Sequence, residues 1–254
     1  MVTQKIKDQL RRIPAIRNLL PWEGVGRFKA NLSEVHERVG HSDLERLFLA
    51  HDGPRLNKWL HYLPIYDRYL SPWRGRALRM LEIGVFGGGS LKLWRDYFGP
   101  DAVLFGADIN PQCAAHDGAH GQVRIGDQSD PAFLRGVVEE MGGVDIVLDD
   151  GSHVMEHLSA SFDTLFPLLT TGGLYIAEDL HTAYWPSYGG GLRHRDSFIE
   201  RAKDTVDDMH HWYHREGVRN PDIGDAVGAL HFHDSMVVIE KAGPQRPVHV
   251  VVGN

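Results

Sequence analysis

The chain reads as an α/β protein: a mostly parallel sheet with helices on both faces. Three observations predict this. Five short apolar runs each end in acidic residues or glycine, helical stripes separate most of them, and two strand-like segments close the pattern with no room for a crossover helix. Runs that are apolar on both faces need cover on both sides, which helices between parallel strands provide. With 254 residues, 42% of them hydrophobic, one sizeable core is available.

Residues 1–77 are expected to form a helical N-terminal segment, and 78–254 the main domain. Ser42 followed by Glu45 is a capping-box pattern. Leu56, Trp59, Leu60, Leu63 and Tyr66 recur at helical spacing, with Pro64 expected to bend or divide that helix. SPWRG at 71–75 is a turn into the first strand. The strand candidates are then LRMLEIGV (78–85), VLFGADI (103–109), QVRIG (122–126), VDIVLDD (144–150) and GLYIAED (173–179). Between them, Leu91, Trp94 and Phe98 share a helical face. Asp130 and Pro131 start a second helix that Gly142 and Gly143 end. Met155, Leu158, Phe162, Leu165, Phe166 and Leu169 form a third stripe, and Phe198, Val206, Met209 and Tyr213 a fourth. GALHFHDS (228–235) and MVVIEKA (236–242) are expected to make a terminal antiparallel hairpin.

Composition narrows the function. The net charge is −7 with no basic block, which argues against nucleic acid as a partner. No stretch approaches the roughly 20 apolar residues that span a bilayer, so no membrane partner is expected. The N-terminus lacks the long apolar region of a signal peptide. Cys113 is the one cysteine, which excludes an intrachain disulfide and suits a cytoplasmic location.

Parallel strands present their carboxyl ends to a shared crevice where ligands bind. The first end reads Glu82-Ile83-Gly84-Val85-Phe86-Gly87. Gly84 and Gly87 allow a tight turn and close ligand approach. Glu82 spoils a dinucleotide fingerprint and repels pyrophosphate, but its charge suits the sulfonium and ammonium of S-adenosylmethionine. Asp108 ends the second strand and is placed to accept both ribose hydroxyls, which by itself does not separate this cofactor from NAD. Asp127, Gln128 and Ser129 follow the third strand, within reach of an adenine edge.

The fourth and fifth strands end in Asp150 and in Glu178-Asp179. Three converging carboxylates repel one another unless a hard cation neutralises them. All-oxygen ligands favour Mg²⁺, with Mn²⁺ or Ca²⁺ as alternatives. Asp149 points to the opposite face of its strand and need not take part. His153, three residues after Asp150, has an imidazole whose ordinary pKa of roughly 6.5 suits a proton acceptor for an alcohol near such an ion. His181, Phe86 and the segment from Tyr184 to Arg195 are candidates to line an acceptor pocket. These residues leave open methyl transfer to a catechol or other phenol, an NAD-type oxidoreductase, and a non-enzymatic binding module.

Taken together, LEIGVFGGGSLKLW, GADIN, GDQSD, LDDGSH and GGLYIAEDLHTAYWP, spread over roughly residues 78–190, resemble the macrolide-sugar O-methyltransferases of the demethylmacrocin and mycinamicin type. The resemblance implies a class-I, S-adenosylmethionine-dependent methyltransferase fold: Rossmann-like, seven-stranded and mostly parallel, with a terminal antiparallel hairpin. It implies a Mg²⁺-dependent enzyme of antibiotic biosynthesis that methylates a deoxysugar hydroxyl on a small sugar or glycoside. The family's metal ligands fall on Asp150, Glu178 and Asp179, its general base on His153, its glycine-motif acid on Glu82 and its ribose acid on Asp108. A homo-oligomer is also implied. Because the macrolide enzymes carry a large N-terminal auxiliary domain, this chain is expected to be a short member lacking it.

Overall fold

A computed structural model describes residues 39–215, 221–244 and 246–253. Residues 1–38 of the expected helical segment lie outside them. Residues 41–254 form one compact unit, in which the helices before the first strand share a core with the sheet. Among the described residues no helix is long and apolar enough to cross a membrane.

Seven strands form one sheet among the described residues. They are β1 (Arg79–Ile83), β2 (Val103–Asp108), β3 (Gln122–Ile125), β4 (Val144–Asp149), β5 (Leu169–Ala177), β6 (Val227–His233) and β7 (Met236–Lys241). Their order is β3-β2-β1-β4-β5-β7-β6. The first five run parallel, and β7 pairs antiparallel with both β5 and β6. The expected sheet and its terminal hairpin are both present. Strand order reverses between β1 and β4, which opens a crevice at their carboxyl ends.

Alternation along each strand builds two cores. Leu81, Ile83 and Val147 face one side, with Leu134 and Val137 of helix α4 (Pro131–Met141) and Leu158 and Phe162 of α5 (Met155–Leu165). Met80, Leu104, Ile146 and Leu148 face the other, with Trp94 and Phe98 of α3 (Gly89–Phe98), Leu44 of α1 (Asp43–Leu49) and Tyr62 and Tyr66 of α2 (Tyr62–Leu70). The capping box forms at α1: Ser42 accepts from Glu45 N, and the Glu45 carboxylate accepts from Ser42 N. Asp130 caps α4, Pro131 occupies its first turn and Gly142 ends it in a left-handed conformation.

Three expectations are corrected. The chain from His51 to Trp59 has neither helix nor strand, and the helix begins only at Tyr62. Pro64 therefore sits in the first turn, where its missing N–H has no intrahelical acceptor to lose, and it neither bends nor divides α2. Helix α6 (Phe198–Met209) ends before Tyr213, whose side chain is 73% exposed and belongs to no buried stripe. Strand β5 also begins earlier than its apolar run, at Leu169, and a register shift against β4 absorbs Gly172 and Gly173.

Candidate functional site

Ladder bonding runs one residue past the central strands. Gly84 N donates to Ala107 O at 2.8 Å, Asp150 N to Ile83 O at 2.9 Å, and Glu178 N to Asp149 O at 3.0 Å. The residues that follow β1, β4 and β5 are thereby brought side by side. Gly84 has φ +96°, and a Cβ there would lie 2.1 Å from the Asp150 carbonyl oxygen, so only glycine lets these two strand ends meet. Three non-glycine residues at the same strand ends also have left-handed backbones: Phe86, His153 and Asp179, with φ of 48°, 56° and 54°. Such conformations cost about 1–3 kcal/mol each and concentrate where a side chain has to be aimed.

What they aim is the acidic cluster. One donor atom each from Asp150, His153 and Asp179 lies within 4.8 Å of the others. His153 Nε2 is 3.9 Å from Asp150 Oδ1 and 3.8 Å from Asp179 Oδ2. All three side chains are about one-fifth exposed, open to the crevice but not bathed by it. His153 Nδ1 is buried and has no hydrogen-bond partner among the described residues. The other Asp179 oxygen accepts from the Tyr62 hydroxyl at 2.7 Å. The two carboxylates suit a hard divalent cation, and the imidazole Nε2 lies beside them.

Glu178 stands apart from that set. Its carboxylate is buried and accepts from Lys58 Nζ at 2.8 Å, while the same ammonium donates to Asp150 Oδ2 at 2.6 Å. Burial pushes the Glu178 carboxyl up to about 7, opposed chiefly by Lys58. Burial alone would discharge Lys58, but Asp150, Glu178 and Glu82 outweigh it and hold the ammonium charged. Lys58 and Tyr62 were missed from the sequence. Their partners lie about a hundred residues away in the chain, and no local pattern marks them.

The cofactor candidates divide into exposed and inward-turned groups. Asp108 Oδ2 accepts from Val85 N at 2.9 Å and Phe86 N at 3.1 Å, and Oδ1 accepts from Asn110 N at 2.8 Å. Burial raises its carboxyl, but these backbone amides more than compensate and hold it below the usual range. Asp108 thus fixes the glycine turn while remaining at the crevice, with Phe86 and Ile109 exposed beside it. Glu82 is fully buried, and its oxygens are taken by the Ser90 hydroxyl at 2.8 Å and the Trp94 indole at 3.1 Å. Burial lifts its carboxyl to about 7 against the pull of Lys58. Asp127 accepts from both the backbone and hydroxyl of Ser129 at 2.8 Å. Gln128 turns inward, donating to Asp149 and Ser161 and accepting from Ser152 N. Asp149 is buried and also accepts from Tyr175. Gly87 approaches the chain before α2, where a Cβ would lie 2.9 Å from the Arg55 carbonyl.

Beside Asp179 runs an aromatic row. His181 packs 5.7 Å from Trp59 and 4.9 Å from Trp185, both edge-on, and Trp185 continues to Tyr188 at 5.7 Å. Burial lowers the His181 pKa, against the pull of Asp179, and its Nδ1 lies 2.6 Å from Ser235 Oγ.

No family model matches the chain. The chain is 39% identical over 225 residues to the 8-demethyl-8-α-L-rhamnosyl tetracenomycin-C 2′-O-methyltransferase of Streptomyces olivaceus, covering 78% of this chain and 58% of that one. It is 36% identical over 211 residues to the demethylmacrocin O-methyltransferase of Streptomyces fradiae, covering 78% of this chain and 53% of the relative. The chain thus spans little more than half the length of these curated relatives. Among solved structures it is similar to the MycE methyltransferase of the mycinamycin biosynthetic pathway in complex with Mg, SAH and mycinamycin VI. There the TM-score is 0.72 at 32% identity, over 80% of this chain and 54% of that one.

Proposed function

The chain belongs to the family of sugar O-methyltransferases represented by these relatives, and from that premise we propose that it methylates a deoxysugar hydroxyl in antibiotic biosynthesis. The methyl donor is S-adenosylmethionine, and a divalent ion, Mg²⁺ first, is required. The observation that carries the proposal is the convergence of Asp150, His153 and Asp179 beside the glycine turn.

Asp150 and Asp179 would hold the ion, with Glu178 as the third acid. The ion supplies positive charge that makes a hydroxyl proton easier to remove. His153 Nε2 would take that proton as the hydroxyl oxygen is methylated, and the donor would supply the methyl group and leave as a neutral thioether. Gly84 and Gly87 would let the cofactor approach the backbone, and Asp108 would take the ribose hydroxyls with its remaining acceptor capacity. Asp127 and Ser129 would border the adenine. Glu82 and Gln128 act from behind, Glu82 as a buried carboxyl under the glycine turn and Gln128 by fixing the end of β4. The aromatic row of Trp59, His181 and Trp185 suits the carbon-bearing face of a sugar ring.

The test is methyl transfer from isotope-labelled S-adenosylmethionine to a panel of rhamnosylated polyketides and catechols. Label on a sugar hydroxyl, lost with a chelator and restored by Mg²⁺, is the expected result. Label confined to phenols, or indifference to the chelator, overturns the proposal.

A further inference from the structure

Resting on the ion site just proposed, we propose that Lys58 and the divalent ion are alternative partners of Asp150 and Glu178. Ion capture then releases the stretch of chain that carries Lys58. The Lys58 side chain is only 2% exposed, and it bridges Asp150 Oδ2 and Glu178 Oε1 at 2.6 and 2.8 Å. A desolvated ammonium in this position is a built-in cation, satisfying two acids that are otherwise costly to bury. It also accounts for why Glu178 does not join Asp150, His153 and Asp179 in the compact donor set. All three acids can close on one ion only after the ammonium has left Glu178. A hard divalent ion gains from each added carboxylate, and a second cation so close in a buried site is repelled.

The fold permits the exchange. Lys58 lies in the stretch from His51 to Trp59, which belongs to no helix or strand, so moving it breaks no regular element. The same stretch lies on the glycine turn. A Cβ at Gly89 would come within 2.5 Å of both the Pro54 and Arg55 carbonyl oxygens, and the Arg55 guanidinium sits 5.3 Å from the Phe86 ring. Displacing Lys58 therefore loosens contacts against the turn that receives the cofactor, and the two binding events are linked in both directions.

The test uses Mn²⁺ alone as probe on the whole chain. By calorimetry, Lys58→Met is expected to bind Mn²⁺ at least roughly tenfold more tightly than wild type, while Lys58→Arg stays near the wild-type affinity. In wild type, saturating Mn²⁺ is expected to speed amide exchange across residues 55–59, a readout that stands even where Lys58→Met folds poorly. Equal or weaker Mn²⁺ binding by folded Lys58→Met, or unchanged or slower exchange at 55–59, overturns the inference. Asp179→Asn, which leaves both Lys58 contacts in place, tests the ion site itself. If it leaves Mn²⁺ affinity unaltered, the ion lies elsewhere and both proposals fall.

Discussion

At the scale of single residues, His153 and Gly84 make separable demands. His153→Ala removes the proposed proton acceptor and leaves the glycine turn intact. Turnover is expected to fall by roughly 10²–10⁴-fold with cofactor affinity little changed, as steady-state kinetics and calorimetry would measure. Gly84→Ala has no such selectivity, because the added methyl meets the Asp150 carbonyl at 2.1 Å on a backbone of φ +96°. A loss of about 3 kcal/mol or more is expected in urea unfolding. The acids at the strand ends were legible in the sequence because each interrupts an apolar run where a parallel strand must stop. The direction of each side chain was not. Glu82 and Gln128 read as ligands from their position, yet both turn into the protein, where a hydroxyl, an indole and a neighbouring carboxylate satisfy them. Lys58 left no mark at all, since its partners are 92 and 120 residues distant.

At the scale of elements, capping chemistry was the reliable signal and apolar spacing the weaker one. Ser42 and Glu45 form the expected reciprocal cap. Ser42→Ala is expected to cost about 1 kcal/mol, seen as a lower urea midpoint at unchanged slope. The spacing from Leu56 to Tyr66 suggested a helix that in fact starts six residues later. Leu56 and Trp59 pack against the same core as Tyr62 and Tyr66, so burial created the periodicity without a helical backbone. Tyr213 fails for the opposite reason: it continues the spacing of α6 past the residue where that helix stops. The parallel strands were easier to recognise because burial on both faces makes them continuous apolar runs.

At the scale of the whole molecule, the buried acids tie stability to pH. Glu82 titrates at about 7 in the folded protein against an ordinary 4.5. Between those values the folded state holds a proton that the unfolded chain has released, so this group's contribution to stability declines as pH rises from about 4.5 through 7. Glu82→Gln removes that dependence. The wild-type stability relative to the variant is expected to drop by on the order of 2 kcal/mol across the interval in urea titrations at stepped pH. Cys113 carries a different consequence. Its sulfur is buried and faces the Phe86 carbonyl at 3.5 Å, and burial together with Asp108 pushes the thiol up to about 11. As the one thiol in 254 residues, it is a ready-made clock for the turn that shields it. A disulfide reagent such as Ellman's is expected to react slowly, at the frequency with which that turn opens, and more slowly still once S-adenosylmethionine is added. An immediate colour change, indifferent to the cofactor, would mean the turn gives no such protection.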